Sequence, residues 1–335
     1  MRYYVQFGAG FGSLVATALR ADLEEVRTTF EDDSAMLFES SSPPDVVSGL
    51  SYVKNAFRVL GEVPRGELPA AIRKLTKVIR DRGLLRQVRG GGVFRTMTNI
   101  DGALVGVPPQ VRTRLETAIV EQTRSKLNAR GGTGDEYWVI GRRGLDLLVF
   151  CQRLTTVRHR APARGSLRPD LCALLVKASE PRLDDVFLDP FAGSGALVSA
   201  RIKLPCRRAI YSDLRLTEHR ASLPPPLLKS RKAEIRQDDA TVLDSVDDHS
   251  ITSIVTDPPW GEHEDIGLPF EQFARKMLLS FDRVLHPSRG RLLMLVARRL
   301  VPVVARQWDS VGLTPRTTHE ILLNGHPATV LVGGR

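Results

Sequence analysis

VFLDPFAGSGAL, Val186 to Leu197, is the stretch whose reading decides the fold. VFLD reads as a short buried strand, Pro190 to Gly195 as a glycine-rich turn, and the residues from Ala196 as the start of a helix. Gly193 and Gly195 can take a positive φ and let a ligand approach the backbone closely. The helix that follows offers N–H groups without intrahelical partners. The spacing is not GxGxxG and lacks the Lys-Ser/Thr ending of a phosphate-binding loop. Ser194 lies in Gly-Ser-Gly, whereas a hydrolase GxSxG elbow needs a residue on each side of its serine.

Downstream of that turn, RRAIYSD, AEIRQDDA, ITSIVTD and GRLLMLVAR read as strands, and EQFARKMLLSFDRVL as an intervening helix. Strands alternating with helices predict an α/β domain with a parallel sheet covered on both faces. THEILLN and PATVLVG are joined only by Gly325-His326, so they predict an antiparallel hairpin closing the sheet. Acids stand near the strand ends. Asp213, one βαβ step after the glycine turn, is placed to accept hydrogen bonds from ribose hydroxyls. Asp239, in the Asp238-Asp239-Ala240 stretch, is placed to accept from an adenine amine. Either acid alone reads as a helix cap or turn residue. In order behind the glycine turn, the set reads as a site for an adenosine-like cofactor. The segment from Leu214 to Ser230 should carry a helix, but Pro224 to Pro226 interrupt it.

TDPPWG, Thr256 to Gly261, ends the fourth of these strands. Taken alone it is a stiff aromatic turn. Pro258 and Pro259 fix φ and remove N–H donors, which leaves carbonyls as the polar groups of the turn. His263, just beyond it, reads more readily as a solvated loop residue than as a general base.

The front half has a different grammar. YYVQF and SAMLFES read as strands and SLVATALRADL as an amphipathic helix, which suggests a small α+β unit. Val47, Leu50, Val53 and Phe57 recur at helical spacing after a Pro43-Asp45 turn. GELPAAIRKLTKVIRDRG is a helix with Arg73, Lys77 and Arg80 on one exposed side. Asp101-Gly102 and Arg142-Gly144 mark two hairpins. TTVRHRAPARGS, Thr155 to Ser166, reads as a basic linker.

The chain of 335 residues carries a net charge of +10, and the excess is local. Residues 63–168 hold 21 Lys/Arg against 8 Asp/Glu. A solvated charged face is the ordinary meaning of a basic run, but an excess confined to one region gives a field that draws a polyanion. The expected RNA contacts are Arg73, Lys77, Arg80, Arg112, Arg124, Arg142, Arg143 and Arg160. Cys151, Cys172 and Cys206 form no CxxC pair, which argues against a structural metal site and suits a reducing cytoplasm. No apolar run approaches membrane-spanning length, and no secretory signal is visible at the start.

DPFAGSG followed by SD, QDDA and TDPPWG resembles a class I S-adenosylmethionine-dependent methyltransferase of the amino-methylating kind. Ser166-Leu167-Arg168-Pro169 is similar to the S-L-x-P segment that helps enclose the methionine end of the cofactor in that group. Phe191-Ala192 stand where Met-Cys or Cys-Gly is more usual. The front half resembles a ferredoxin-like domain followed by a THUMP RNA-binding domain. Together these resemble the THUMP-containing RNA guanine-N2 methyltransferases that act on tRNA.

The resemblance implies a Rossmann-like seven-stranded sheet. It implies an N-terminal domain over residues 1–62, a THUMP domain over 63–154, a linker over 155–168 and a methyltransferase domain over 169–335. It implies cofactor contacts from Ser166, Leu167, Arg168, Pro169, Asp189, Pro190, Phe191, Ala192, Gly193, Ser194, Gly195, Asp213, Asp238, Asp239, Ala240 and Asp257, with no metal. The catalytic set is Asp257, Pro258, Pro259 and Trp260. The Asp257 carboxylate and the Pro258 carbonyl accept the two amine hydrogens, and Trp260 stacks on the base. Structured tRNA is the expected partner, with a small activator subunit left open. An adenine-N6 methyltransferase, a ribosomal RNA enzyme and a catalytically silent RNA-binding protein are the alternatives.

Overall fold

A computed structural model describes the chain except for residues 87, 89, 129–133, 155–165, 262–265 and 324. His263, Arg160 and nearly all of the expected linker therefore lie outside the described residues. The first part of the chain forms β1 (Arg2–Gln6), α1 (Gly12–Asp22), β2 (Arg27–Glu31), β3 (Ala35–Glu39), α2 (Pro44–Ser48), β4 (Asn55–Pro64) and α3 (Leu68–Arg82). It continues as β5 (Val93–Ile100), β6 (Ala103–Leu104), α4 (Pro109–Thr123), β7 (Lys126–Leu127), β8 (Asp135–Gly141) and β9 (Leu147–Arg153). The second part forms α5 (Pro169–Ala178), β10 (Val186–Asp189), α6 (Ala196–Arg201), β11 (Arg208–Ser212), α7 (Leu216–His219), α8 (Pro225–Lys229) and β12 (Ala233–Arg236). It ends with β13 (Ser253–Thr256), α9 (Phe270–Val284), β14 (Arg291–Ala297), α10 (Val301–Ser310), β15 (Thr314–Leu323) and β16 (His326–Gly334).

Contacts divide these elements into two compact units: Met1–Gln6 with Asp22–Arg158, and Phe7–Ala21 with His159–Arg335. The first unit holds one sheet in the order β2-β3-β1-β4-β9-β8-β5-β6, with β7 beside β5. β4 joins its halves, pairing with β1 from Asn55 to Arg58 and with β9 from Phe57 to Pro64. The boundary expected between residues 62 and 63 falls inside this strand. Alternation along β8 sends Tyr137 and Val139 to one apolar cluster and Trp138 and Ile140 to another. α3 buries Ala71, Ile72, Leu75 and Ile79 against the first cluster, leaving Arg73, Lys77 and Arg80 exposed. Gly83, at φ 60°, ends the helix. β2 has no counterpart in the sequence reading, because its RTTFE pattern is an exposed, polar edge strand.

The second unit holds a seven-stranded sheet in the order β12-β11-β10-β13-β14-β16-β15. The first five strands run parallel, and β16 pairs antiparallel with both β14 and β15. The expected parallel sheet with a closing hairpin is present. The amphipathic α9 supplies Phe273, Met277, Phe281 and Val284 to a core shared with Leu188, Ile254 and Met294. The prolines do break the segment after β11, which runs as two short helices, α7 and α8. Residues 7–21 cluster with this unit. The Leu322 N–H donates to the Ala9 carbonyl at 3.2 Å, and Ser13 Oγ lies 2.9 Å from His319 Nδ1. Gly10, at φ 79°, passes so close to β15 that a Cβ there would stand 3.0 Å from the Ile321 Cα.

Candidate active site

The strand order of the second unit fixes where a site can form. From β10 the chain proceeds to β11 and β12 on one side, while β13 and β14 lie on the other. Connections leaving neighbouring strands in opposite directions open a crevice at their carboxyl ends. The glycine turn follows β10 and TDPPWG follows β13, so the two motifs flank that crevice.

The glycine turn is wired from inside. Ala192 N–H donates to the Ser212 carbonyl at 3.0 Å, and Gly195 N–H to the Ala192 carbonyl at 2.6 Å. Gly193 N–H donates to Asp213 Oδ2 at 2.7 Å, and the Tyr211 hydroxyl donates to the Gly193 carbonyl at the same distance. Gly193 and Gly195 stand at φ 45° and 73°. A Cβ on Gly195 would come 2.7 Å from Leu227 Cδ2, whereas at Gly193 the nearest atom, Phe191 O, is 4.0 Å away. One glycine is required for packing on α8, and the other leaves a face open to a ligand. Ser166 Oγ lies 2.8 Å from Ser194 Oγ, which brings the SLRP segment to the turn.

The acids divide by role. Asp213 also accepts the Arg215 N–H at 2.8 Å through Oδ1, and each of its oxygens keeps acceptor capacity. Asp239 is exposed and takes the Thr241 N–H and hydroxyl on Oδ1, both at 2.8 Å. Asp238 is engaged by Ser245, through its N–H at 3.0 Å and its hydroxyl at 2.5 Å. Both acids lie beyond β12, which ends at Arg236. Ala240 is buried, and its carbonyl accepts the Ser280 hydroxyl at 2.5 Å. Asp189 is only 1% exposed, so its carboxyl lies beneath the turn. It accepts the Thr256 hydroxyl at 2.9 Å and the Phe191 N–H at 3.3 Å. Burial, reinforced by the negative charges of Asp213 and Asp257, pushes its pKa up to about 8.

The remaining members of the expected cofactor set are Leu167, Arg168, Pro169, Pro190 and Phe191. Arg168 is ion-paired with the buried Asp170, with Nη2 2.5 Å from Oδ2, and its carbonyl accepts the Cys172 N–H at the start of α5. Leu167 is half-buried, Pro169 exposed and Pro190 buried. Phe191 packs against Phe273, with ring centroids 6.0 Å apart and the rings tilted by 57°.

On the other side of the crevice, Asp257 is half-buried, Pro258 buried, and Pro259 half-buried. The Trp260 ring packs on the apolar cluster that also receives Phe191, Ile266 and Phe270. Its indole N–H is buried without an acceptor among the described residues, and its carbonyl accepts from Arg299 Nη2 at 3.2 Å. Gly261, at φ 72°, turns the chain away. Cys172 on α5 is buried close to both motifs; burial, then the charges of Asp189, Asp257 and Asp170, push its thiol pKa up. Tyr211, Thr256, Asp170 and Arg299 were not visible as functional residues in the sequence. Their types are ordinary, and only contacts across the fold give them a part.

In the first unit Arg73, Lys77, Arg124 and Arg143 are exposed. Arg80 is also exposed and pairs with Glu121 at 3.0 Å. Arg112 stands 3.9 Å from Glu116, beside a cavity of about 130 Å³ lined by Ile72, Met97, Leu104 and Leu115. Arg142 is different: it is 8% exposed, and its guanidinium grips both Asp32 oxygens, at 2.7 and 2.8 Å, and Ser34 Oγ at 2.8 Å. Its charge is consumed inside the sheet, so it is a structural lock and not part of the exposed basic surface. Among the described residues, no helix is long and apolar enough to cross a membrane.

Comparison with solved structures gives the same architecture along the entire chain. TrmN from Thermus thermophilus superposes with a TM-score of 0.74 at 17% identity, over 100% of this chain and 99% of that one. A predicted N6-adenine-specific DNA methylase from Listeria monocytogenes gives 0.64 at 14% identity, over 99% and 95%. The methyltransferase candidate SMU.472, solved in complex with SAH, gives 0.65 at 11% identity, over 99% and 97%. No protein-family model matches the chain, and no curated sequence is similar to it. The second unit has the class I methyltransferase fold, and the front unit shares the architecture of these neighbours.

Proposed function

We propose that this protein transfers a methyl group from S-adenosylmethionine to the exocyclic N2 amine of a guanosine in RNA, with tRNA as its substrate. The observation that carries this reading is the pairing of the glycine turn and TDPPWG on adjacent strand ends, either side of one crevice. The cofactor fits the residues present. Gly193 leaves open space, and Asp213 offers unused acceptor capacity toward ribose hydroxyls. Asp213 and Asp257 bring negative charge that suits a cationic ligand. SMU.472, of the same fold, holds SAH.

When bound, the cofactor supplies an activated sulfonium methyl, so no covalent enzyme intermediate or metal is needed. The rest is done by this chain. An exocyclic amine is a poor nucleophile because its lone pair is delocalised into the ring. The Asp257 carboxylate and the Pro258 carbonyl accept its two hydrogens and draw the nitrogen toward tetrahedral geometry. Pro258 and Pro259 make that acceptor pair stiff, and Trp260 offers a flat face for the base. The gain comes from orientation and from acceptors already in position. A paired base cannot enter such a crevice, so the target nucleotide must be unpaired or flipped out.

Guanine in tRNA is favoured by the basic front unit, whose exposed Arg73, Lys77, Arg124 and Arg143 suit phosphate contacts. The TDPPWG loop by itself suits adenine N6 equally, and the Listeria neighbour is described as an adenine methylase. Mass analysis of nucleosides after incubation with labelled S-adenosylmethionine and bulk tRNA decides between them. N2-methylguanosine is the expected product. N6-methyladenosine would overturn the choice of base, and label in no RNA would leave the silent RNA-binding reading.

A further inference from the structure

The two motifs sit on neighbouring strands, yet the ladder between those strands stops before either motif begins. The registered pairs of β10 and β13 are Phe187↔Ser253 and Leu188↔Ile254. Beyond them β10 runs one residue further, to Asp189, and β13 two, to Thr256. There a side-chain bond links the two strands. The Thr256 hydroxyl donates to Asp189 Oδ1 at 2.9 Å, and the same carboxyl oxygen accepts the Phe191 N–H at 3.3 Å. Asp189 is 1% exposed and Thr256 fully buried, so neither side chain is available to a ligand.

Asp189 immediately precedes the Pro190-Phe191 entry to the glycine turn, and Thr256 immediately precedes Asp257 and the two prolines. We infer that the Asp189–Thr256 bond is a positioning tie between the cofactor turn and the amine-holding loop, setting the distance across which the methyl group passes. This inference rests on the methyl-transfer reading above. Three features make the tie effective. It lies in a dry interior, where a hydrogen bond is strong and an orphaned partner is costly. Asp189 is braced from its own side by Phe191, so its carboxyl cannot swing freely. The prolines that follow Asp257 leave few torsions to absorb a shift at Thr256. Burial also keeps the carboxyl protonated to about pH 8, so the tie adds no unpaired charge beneath the crevice at neutral pH. Asp189 and Thr256 thus act through Phe191 and Asp257, not on the ligands themselves.

The test compares wild type, Thr256→Val and Thr256→Ser in steady-state methyl transfer to tRNA and in calorimetric binding of SAH. Valine keeps the shape and removes the donor, while serine keeps the donor. Thr256→Val is expected to lose roughly 10- to 100-fold in kcat, the scale on which small misplacements act. Its KM for tRNA and its SAH affinity should stay within about two-fold, and Thr256→Ser should recover most of the rate. Should Thr256→Val melt below the assay temperature, Thr256→Ala against Thr256→Ser carries the same comparison. Equal kcat in the valine variant and wild type overturns the tie. So does a parallel loss of kcat and SAH affinity that serine does not rescue, since that marks general packing damage. A wild-type chain that binds no SAH and transfers no methyl overturns the methyl-transfer reading itself, and the tie falls with it.

Discussion

The two sides of the crevice are built by different means. The glycine turn is held by hydrogen bonds that Ala192, Gly193 and Gly195 donate from their backbone and that Tyr211 donates from the next strand, with Asp213 as one acceptor, and these fix its backbone before any ligand arrives. The loop opposite is shaped by two prolines, by packing of Trp260 on the core and by contacts from distant residues, Asp189 and Arg299. On the methyl-transfer reading proposed above, a pocket that binds the same cofactor in every turnover is served by rigid backbone wiring. On the proposed reading, a loop that takes hold of a nucleobase is served by a stiff frame whose acceptors, on the half-buried Asp257 and the buried Pro258, are held in place. The difference predicts that the two sides fail separately.

The largest expected effect is at Asp257. Asp257→Ala removes one of the two proposed amine acceptors, and methyl transfer should fall by roughly 10²- to 10³-fold. SAH binding, measured by calorimetry, should change little. If SAH affinity falls as steeply as the rate, the two sides are one site and the comparison is broken. Gly195→Ala should do the reverse. The new methyl meets Leu227 and the backbone is held at φ 73°, so the turn must distort. We expect a stability loss of about 1–3 kcal/mol by thermal denaturation. SAH affinity should drop by more than the tRNA KM changes.

A third effect is a pH dependence of stability. The Asp189 carboxyl binds its proton more tightly in the folded chain, with a pKa of about 8, than in the unfolded chain, where about 4 is usual. Its contribution is therefore full below pH of about 4 and is lost as pH rises through about 8. Asp189→Asn removes the titration. The variant should show a smaller fall in Tm between pH 5 and pH 8 than wild type. An unchanged slope would mean that Asp189 is ionised in the folded protein.

The comparison also explains what could be read in advance. DPFAGSG and TDPPWG were legible as turns at strand ends because glycine and proline set the backbone at fixed local positions. The parallel sheet and its closing hairpin were legible because periodicity and a two-residue connection are local facts. What escaped was non-local. Arg142 looked like part of a basic surface, since nothing nearby announces Asp32, 110 positions away in sequence. Thr256 looked like the last residue of a strand until its partner, 67 positions upstream, was known. Asp189 belonged to the right motif, but sequence spacing does not distinguish an acid facing a ligand from one buried beneath it.

The docking of residues 7–21 onto β15 has a consequence for how the protein is made. Ser13 and His319 are 306 positions apart, yet they meet within one compact unit. A ribosome releases the Phe7–Ala21 segment before the front sheet and its partner strand only after that sheet. The unit carrying the crevice cannot complete itself until β15 has emerged, and its early segment must wait through synthesis of the entire front sheet. Contacts of such long sequence separation slow folding and lengthen the time that apolar surface such as Leu14, Val15 and Leu19 goes uncovered.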